Sequence, residues 1–185
     1  GLLTAGLTEV DVFPKVRVAL LPTGTEIVAP GTPLKPGDVI DSNSRILGGL
    51  VEEWGGIPVY APSTIDDYDL LKERILEYRD KADVLAVIAG SSHGREDYTV
   101  PLFRQLGEVF VHGVAIRPGK PVSLGAVGGK PVIGVPGYPV SAALAFEVFA
   151  RPVIYRKNGV SLPEDIYKKA YVGRKTVSRY PLEGI

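Results

Sequence analysis

The sequence predicts an α/β protein, a three-layer αβα fold around a mostly parallel, mixed sheet. Three observations carry this. Short apolar runs, above all VRVALL (Val16–Leu21) and VLAVIA (Val84–Ala89), have the unbroken hydrophobicity of strands buried on both faces. They alternate with segments of helical period, and they open into loops rich in Gly, Pro, Ser and Thr. Consecutive strand-like runs between residues 108 and 135 then require at least one antiparallel partner, which makes the sheet mixed.

In chain order, residues 1–15 are apolar with a turn-like start, and Pro14 precedes the first strand. After VRVALL comes the loop PTGTE (22–26), then IVAPGTPLKPGDVIDSNS, a long irregular connection of the kind that is usually functional. Ser42 or Asn43 can cap a helix over Ser44–Trp54, with Ile46, Leu47, Leu50 and Val51 as its apolar stripe and Gly55-Gly56 as its stop. IPVYAPS is the second strand. Asp66 or Asp67 caps the helix DYDLLKERILEYRDK, whose Leu70, Leu71, Ile75 and Leu76 face inward. The strand Val84–Ala89 empties into Gly90-Ser91-Ser92-His93-Gly94, then Arg95, Glu96 and Asp97, before a short helix from near Tyr98 to Leu106. Glu108–Ile116 reads as a strand running into Arg117-Pro118-Gly119-Lys120-Pro121. VSLGAV and KPVIGV form a hairpin about Gly128-Gly129, and Pro136-Gly137-Tyr138-Pro139 starts the apolar helix VSAALAFEVFARPVIY. Residues 161–185 change character and read as a linker with the start of another module. The expected organisation is therefore 1–15 as an entry segment, 16–160 as the domain proper, and 161–185 as a linker and the first strand of another module. The absence of Met adds to the expectation of a piece of a longer protein.

Composition excludes several classes. The 21 basic residues balance the 21 acidic ones, so no strong overall field points to nucleic acid or an anionic membrane. The chain has no Cys, which removes disulfides, Cys-ligated zinc and thiol nucleophiles together, and its two histidines argue against a His-rich metal site. No apolar run approaches the roughly 20 residues of a membrane span, and no signal-peptide pattern opens the chain, so a cytoplasmic protein is expected.

Four polar loops fall where an α/β sheet binds ligands, at the carboxyl ends of its strands. They are PTGTE (22–26), DSNS (41–44), AGSSHGREDY (89–98) and PGYPVS (136–141), and RPGKP (117–121) adds two cations. Gly90 and Gly94 let a ligand approach the backbone, and Asp97 puts a carboxylate at the same mouth for a metal ion or a proton.

Here the sequence resembles the molybdopterin-binding fold shared by molybdenum-cofactor biosynthesis enzymes. The residues that carry the resemblance are TG-x-E (Thr23, Gly24, Glu26), DSN (Asp41, Ser42, Asn43), the Asp66-Asp67 pair, GxSxGxxDY (Gly90 to Tyr98), PGKP (118–121) and PG-x-P (Pro136, Gly137, Pro139). They stand in the family's order and spacing over residues 10–155. The leader LLTAGLTEVDVFPKVRVALLPTGTEIV and the tail from about Ser161 resemble the molybdenum-insertion branch, the MoeA type and the E domain of gephyrin.

The resemblance implies an enzyme that inserts molybdate into adenylylated molybdopterin and releases AMP, with Mg2+ on the substrate's phosphates. It implies Glu26, Asp67 and Asp97 as catalytic and metal-ligating carboxylates. The pterin substrate would be held by Thr23, Gly24, Asp41, Ser42 and Asn43, by Gly90, Ser91, Ser92 and Gly94, and by Pro136, Gly137, Pro139 and Ser141. Gly119 would join the cofactor-binding residues, and Arg117 and Lys120, beside it, would also meet the molybdate dianion. A molybdopterin adenylyltransferase is the implied pathway partner, and a homo-oligomer, a dimer more than a trimer, the implied assembly. The chain departs from the family's pattern at Thr25, where Asp is usual, at Ala89, which replaces the first Gly of its loop, and at Tyr138, where Asn is usual. Two alternatives stay open: a molybdopterin adenylyltransferase, and a non-catalytic binding or scaffold version of the same fold. A dinucleotide-binding domain is disfavoured, because no GxGxxG follows the first strand.

Overall fold

The computed structural model describes residues 1–89, 98–164, 167–171 and 173, with the backbone of 183–184. Six strands form one sheet in the order β4-β1-β5-β9-β8-β6. They are β1 (Arg17–Pro22), β4 (Ile57–Tyr60), β5 (Val84–Ile88), β6 (Gly107–His112), β8 (Ser123–Val127) and β9 (Lys130–Val135). β4, β1, β5 and β9 pair in parallel, whereas β8 runs against both of its neighbours, β9 and β6. The mixed sheet read from the sequence is therefore present, with one reversed strand.

The helices α1 (Asn43–Glu53), α2 (Tyr68–Arg79), α3 (Thr99–Leu106) and α4 (Pro139–Lys157) divide between the two faces. Alternation along β1 shows how. Val18 and Leu20 pack with Leu47 and Val51 of α1 and with Ala145 and Phe146 of α4. Ala19 and Leu21 point the other way, to Leu71 and Ile75 of α2 and Leu102 and Phe103 of α3. Two buried cores sandwich one sheet, which is the three-layer arrangement. β5 is buried along its whole length, as its unbroken apolar run requires.

Local chemistry sets the helix ends. α1 stops in a Schellman motif: Gly55, at φ +79°, donates to Glu52 O and Gly56 donates to Val51 O. At its start, Ser42 occupies the N-cap position without a side-chain bond, and the capping oxygen is Asp41 Oδ1, which accepts from Ser44 N at 3.0 Å. This corrects the expectation of a Ser42 or Asn43 cap. At α2 the cap is Asp67, whose Oδ1 accepts from Leu70 N at 2.9 Å. Two stripe positions are also corrected. Ile46 is 42% exposed and Leu70 45% exposed, and the inward positions they were expected to hold are taken by Gly48 and Tyr78. Gly48 sits directly beneath the Tyr60 hydroxyl, so the inward face of α1 leans towards β4 rather than towards Ile46.

The connection after β1 is less irregular than expected. Ile27–Val28 (β2) and Val39–Ile40 (β3) form a small parallel pair that closes the intervening excursion. The strand read over Glu108–Ile116 breaks at Gly113, leaving Ile116–Arg117 (β7) to pair with Glu183–Gly184 (β10). The β8–β9 hairpin turns on Gly128 and Gly129, both at positive φ, as a two-residue turn of the primed type demands.

Lys130 ties this hairpin to α2. Its ammonium donates to the carbonyls of Arg79 (2.5 Å) and Ala82 (2.8 Å), satisfying an acceptor that the helix end leaves open. Lys130→Met keeps the stem and removes the donors. It is expected to cost about 1–3 kcal/mol, read as a lower urea midpoint with an unchanged slope. An unshifted midpoint would show that water replaces the ammonium without loss.

Candidate functional site

The chain reaches β4 from β1 through α1 on one face, then crosses back past β1 to β5 through α2 on the other. The strand order reverses at β1, so the loops leaving β1 and β5 diverge and a crevice opens between them at the carboxyl edge. A pocket of about 90 Å³ lies there. Its floor is the end of β1 (Pro22, Thr23) and the end of β5 (Ile88, Ala89). The β2–β3 pair contributes Ile27, Val39 and Ile40. The start of α1 contributes Asp41, Ser42 and Asn43, and the approach to α4 contributes Gly137, Tyr138 and Pro139.

Hydrogen bonds between distant segments fix these walls. Asn43 Nδ2 donates to Gly137 O at 2.7 Å and joins the start of α1 to the start of α4. Its Oδ1 is buried and has no partner among the described residues, so the pocket wall holds a desolvated acceptor. Asp41 spends Oδ1 on the Ser44 amide. Thr23 N donates to Ile88 O at 2.8 Å and holds the floor together. Gly24 needs its φ of +137° to turn the chain tightly over Ile27, and its amide donates to Thr64 O.

The same turn brings the loop of residues 22–26 against the loop that enters α2. Thr23 pairs with Thr64, and Asp66 N donates to Thr25 Oγ1 at 3.2 Å. The position where Asp is usual in the resembling family thus serves here as a neutral acceptor linking two loops. Glu26 and Asp67 lie on these neighbouring loops. Carboxylates are the hard oxygen donors Mg2+ takes, and Mg2+ usually needs only one or two of them beside substrate phosphates. The pair therefore fits such an ion by donor type. Among the described residues, no three acidic or histidine side chains cluster to hold a metal on their own. Among the described residues the carboxylates held below the usual range are Glu77 beside Lys81, on α2, and Asp80 beside Arg79, just past its end, and neither lines the pocket.

Of the sequence-derived candidates, Thr23, Asp41, Ser42, Asn43, Gly137 and Pro139 line the pocket, and Gly24 shapes its floor. Pro136 is buried just behind it. Arg117, Gly119, Lys120 and Ser141 are not among the lining residues. Gly119 packs against Ile116 and Ala145, and Arg117 and Lys120 are exposed. Gly90, Ser91, Ser92, Gly94 and Asp97 lie outside the described residues. Sequence reasoning did not select Ile27, Val39, Ile40 and Ile88. Their signal was apolar side chains set between the polar motifs, which reads as core until the fold is known.

Among the described residues no helix is long and apolar enough to cross a membrane. Residues 19–156 match the model of a family described as "Probable molybdopterin binding domain". The chain is 35% identical over 172 residues to molybdopterin molybdenumtransferase 2 of Mycobacterium tuberculosis, an alignment covering 89% of this chain and 42% of that protein. It is similar to the crystal structure of the molybdopterin biosynthesis MoeA protein of Pyrococcus horikoshii, with 40% identity and a TM-score of 0.79 over 85% of this chain and 39% of that one. The molybdopterin biosynthesis enzyme MoaB of Thermus thermophilus, 17% identical, shares the fold with a TM-score of 0.59 over 78% of this chain and 97% of its own. The chain thus spans well under half the length of the curated relative, and the family match spans most of the chain. A pocket at the reversal point of a parallel sheet, walled by motif residues in the family's order, agrees with both: the chain belongs to the molybdopterin-binding domain family.

Proposed function

We propose that this chain is the substrate-binding domain of a molybdopterin molybdenumtransferase, an enzyme of molybdenum cofactor biosynthesis. It would bind adenylylated molybdopterin and serve the insertion of molybdate with release of AMP. The observation that supports this most directly is the convergence of Thr23, Asp41, Ser42, Asn43 and Gly137 on one pocket at the carboxyl edge of the sheet. The name of the Mycobacterium relative points the same way.

In this reading the pocket orients the pterin end of the substrate through the buried acceptor of Asn43. Asp67 and Glu26, with Asp97 by its place in the family motif, would hold Mg2+ on the substrate's phosphates, where the ion would supply charge neutralisation. Asp67 Oδ1 already accepts from the Leu70 amide, which fixes the carboxylate at the start of α2. Arg117 and Lys120 attract the molybdate dianion from outside the pocket. Residues 16–160 form the binding domain, 1–15 lead in and 161–185 lead out. The protein is a cytoplasmic homo-oligomer that takes its substrate from an adenylyltransferase. The exposed apolar side chains Leu2, Leu3, Leu7, Val10, Val12 and Phe13 support the oligomer.

Calorimetric titration of the full-length protein with molybdopterin, with and without Mg2+, tests the reading. Binding is expected to tighten with Mg2+, and Asp97→Ala is expected to weaken it about 10- to 100-fold. Molybdate-dependent AMP release from adenylylated molybdopterin is the expected turnover. Adenylyl transfer from ATP would instead identify an adenylyltransferase, and tight binding without turnover a scaffold.

A further inference from the structure

Tyr138 brings to the pocket something the rest of its wall lacks, an aromatic face. It lines the pocket and is 61% exposed. It sits at the N-cap position of α4, yet its side chain makes no capping bond. The backbone beneath it is held from three sides. Gly137 O accepts from Asn43, Pro139 fixes the first helical residue, and Tyr138 O accepts from Ala142 N at 2.8 Å. The side chain therefore has a rigid base while its ring faces solvent.

A second element places apolar surface in the same pocket. Val39 and Ile40 of β3 are 39% and 43% exposed, and Ile27 of β2 is half-buried. Single exposed apolar residues need no explanation, but here two separate elements direct them to one cavity beside Asp41, Ser42 and Asn43. The combination is an apolar slot with an acceptor at one end. It suits a flat ring whose edge carries N–H donors and whose faces are apolar.

We propose that Tyr138 is a stacking platform for a planar heteroaromatic ring of the ligand. Its ring covers one face of that group, Ile27, Val39 and Ile40 close the slot, and Asn43 Oδ1 accepts from an N–H at the ring's edge. The proposal rests on the reading that the domain binds a pterin nucleotide. Such a ligand offers two rings of this chemistry, the pterin and the adenine.

The test titrates full-length wild type, Tyr138→Phe and Tyr138→Ala separately with molybdopterin and with AMP, following affinity and the near-ultraviolet absorbance of the ring. Tyr138→Ala is expected to weaken one of the two ligands by about 5- to 150-fold, the range seen when a stacking aromatic is removed. Tyr138→Phe is expected to bind like wild type and to keep the hypochromic shift of a stacked ring. The ligand that loses affinity identifies the ring. Because Tyr138 is exposed, an unchanged Tm serves as the folding control. Unchanged affinity of Tyr138→Ala for both ligands, with wild-type binding intact, overturns the platform alone. A Tyr138→Phe variant as weak as Tyr138→Ala also overturns it, since the hydroxyl and not the face would then make the contact. Wild type that binds neither ligand overturns the pterin-nucleotide reading and the platform with it.

Discussion

Replacing Phe146 with alanine is expected to lower stability by about 3–5 kcal/mol, the cost of emptying a fully buried aromatic site. Phe146 is fully buried on the inner face of α4 and stacks on Trp54 at the end of α1, with ring centroids 5.7 Å apart and planes 28° apart. It also meets Val18 and Leu20 of β1 within the same core. Truncation removes transfer free energy, the ring–ring contact, and the packing that sets α1 and α4 side by side. For a chain of this length the loss corresponds to a fall in Tm of roughly 6–20 °C. Phe146→Leu, which keeps most of the volume, should cost about 1–2 kcal/mol. Urea unfolding of the two variants checks both values. A Phe146→Ala loss below about 1 kcal/mol would mean that the two helices close over the cavity, and that their separation is not set by this ring pair.

Asn43→Asp is expected to weaken pterin binding about 10- to 100-fold while costing about 1–3 kcal/mol of stability. The substitution changes almost no volume. It replaces the amide that donates to Gly137 O at 2.7 Å with a carboxylate oxygen facing that carbonyl. An attraction between the starts of α1 and α4 becomes a repulsion, and a second negative charge appears near Asp41 at the mouth of a site that receives an anionic ligand. Asn43→Ala removes the bond without the charge and should lie between wild type and Asn43→Asp. Calorimetry against molybdopterin gives the affinities, and thermal unfolding gives the stabilities. Equal affinity in all three proteins would remove Asn43 from the binding machinery and leave it a tie between two helices.

Where a feature depended on local pattern, it was legible in the sequence. The unbroken apolar run of β5 announced a strand buried on both faces, and the Gly128-Gly129 pair announced the hairpin between β8 and β9. Three of the polar motifs, at 22–26, 41–44 and 136–141, announced loops that meet at the pocket, because strand ends and loop chemistry are readable one segment at a time. What depends on distance in space was not. The capping oxygen of α1 is Asp41, two residues before the helix, because Ser42 already has helical dihedrals. Two-residue strands such as β2 and β3 are too short for a period of two to register, so the Ile27, Val39 and Ile40 wall could not be seen. Leu70 looked like a core residue, but the helix turns its stripe towards Leu71, Ile75 and Tyr78. The RPGKP cations lay in a loop of the right chemistry, yet only the sheet order decides which loops border the crevice.

The position of β5 has a consequence for biosynthesis. It is held between β1, which leaves the ribosome about 67 residues earlier, and β9, which emerges about 46 residues later. Until β9 is translated, a nascent chain presents one bare edge of its most apolar strand. Chaperone binding is therefore expected to peak on ribosome-stalled chains in which residue 88 but not residue 130 has cleared the exit tunnel, and to fall once residue 135 has cleared it, so that a strand forming the pocket floor is also a liability during synthesis.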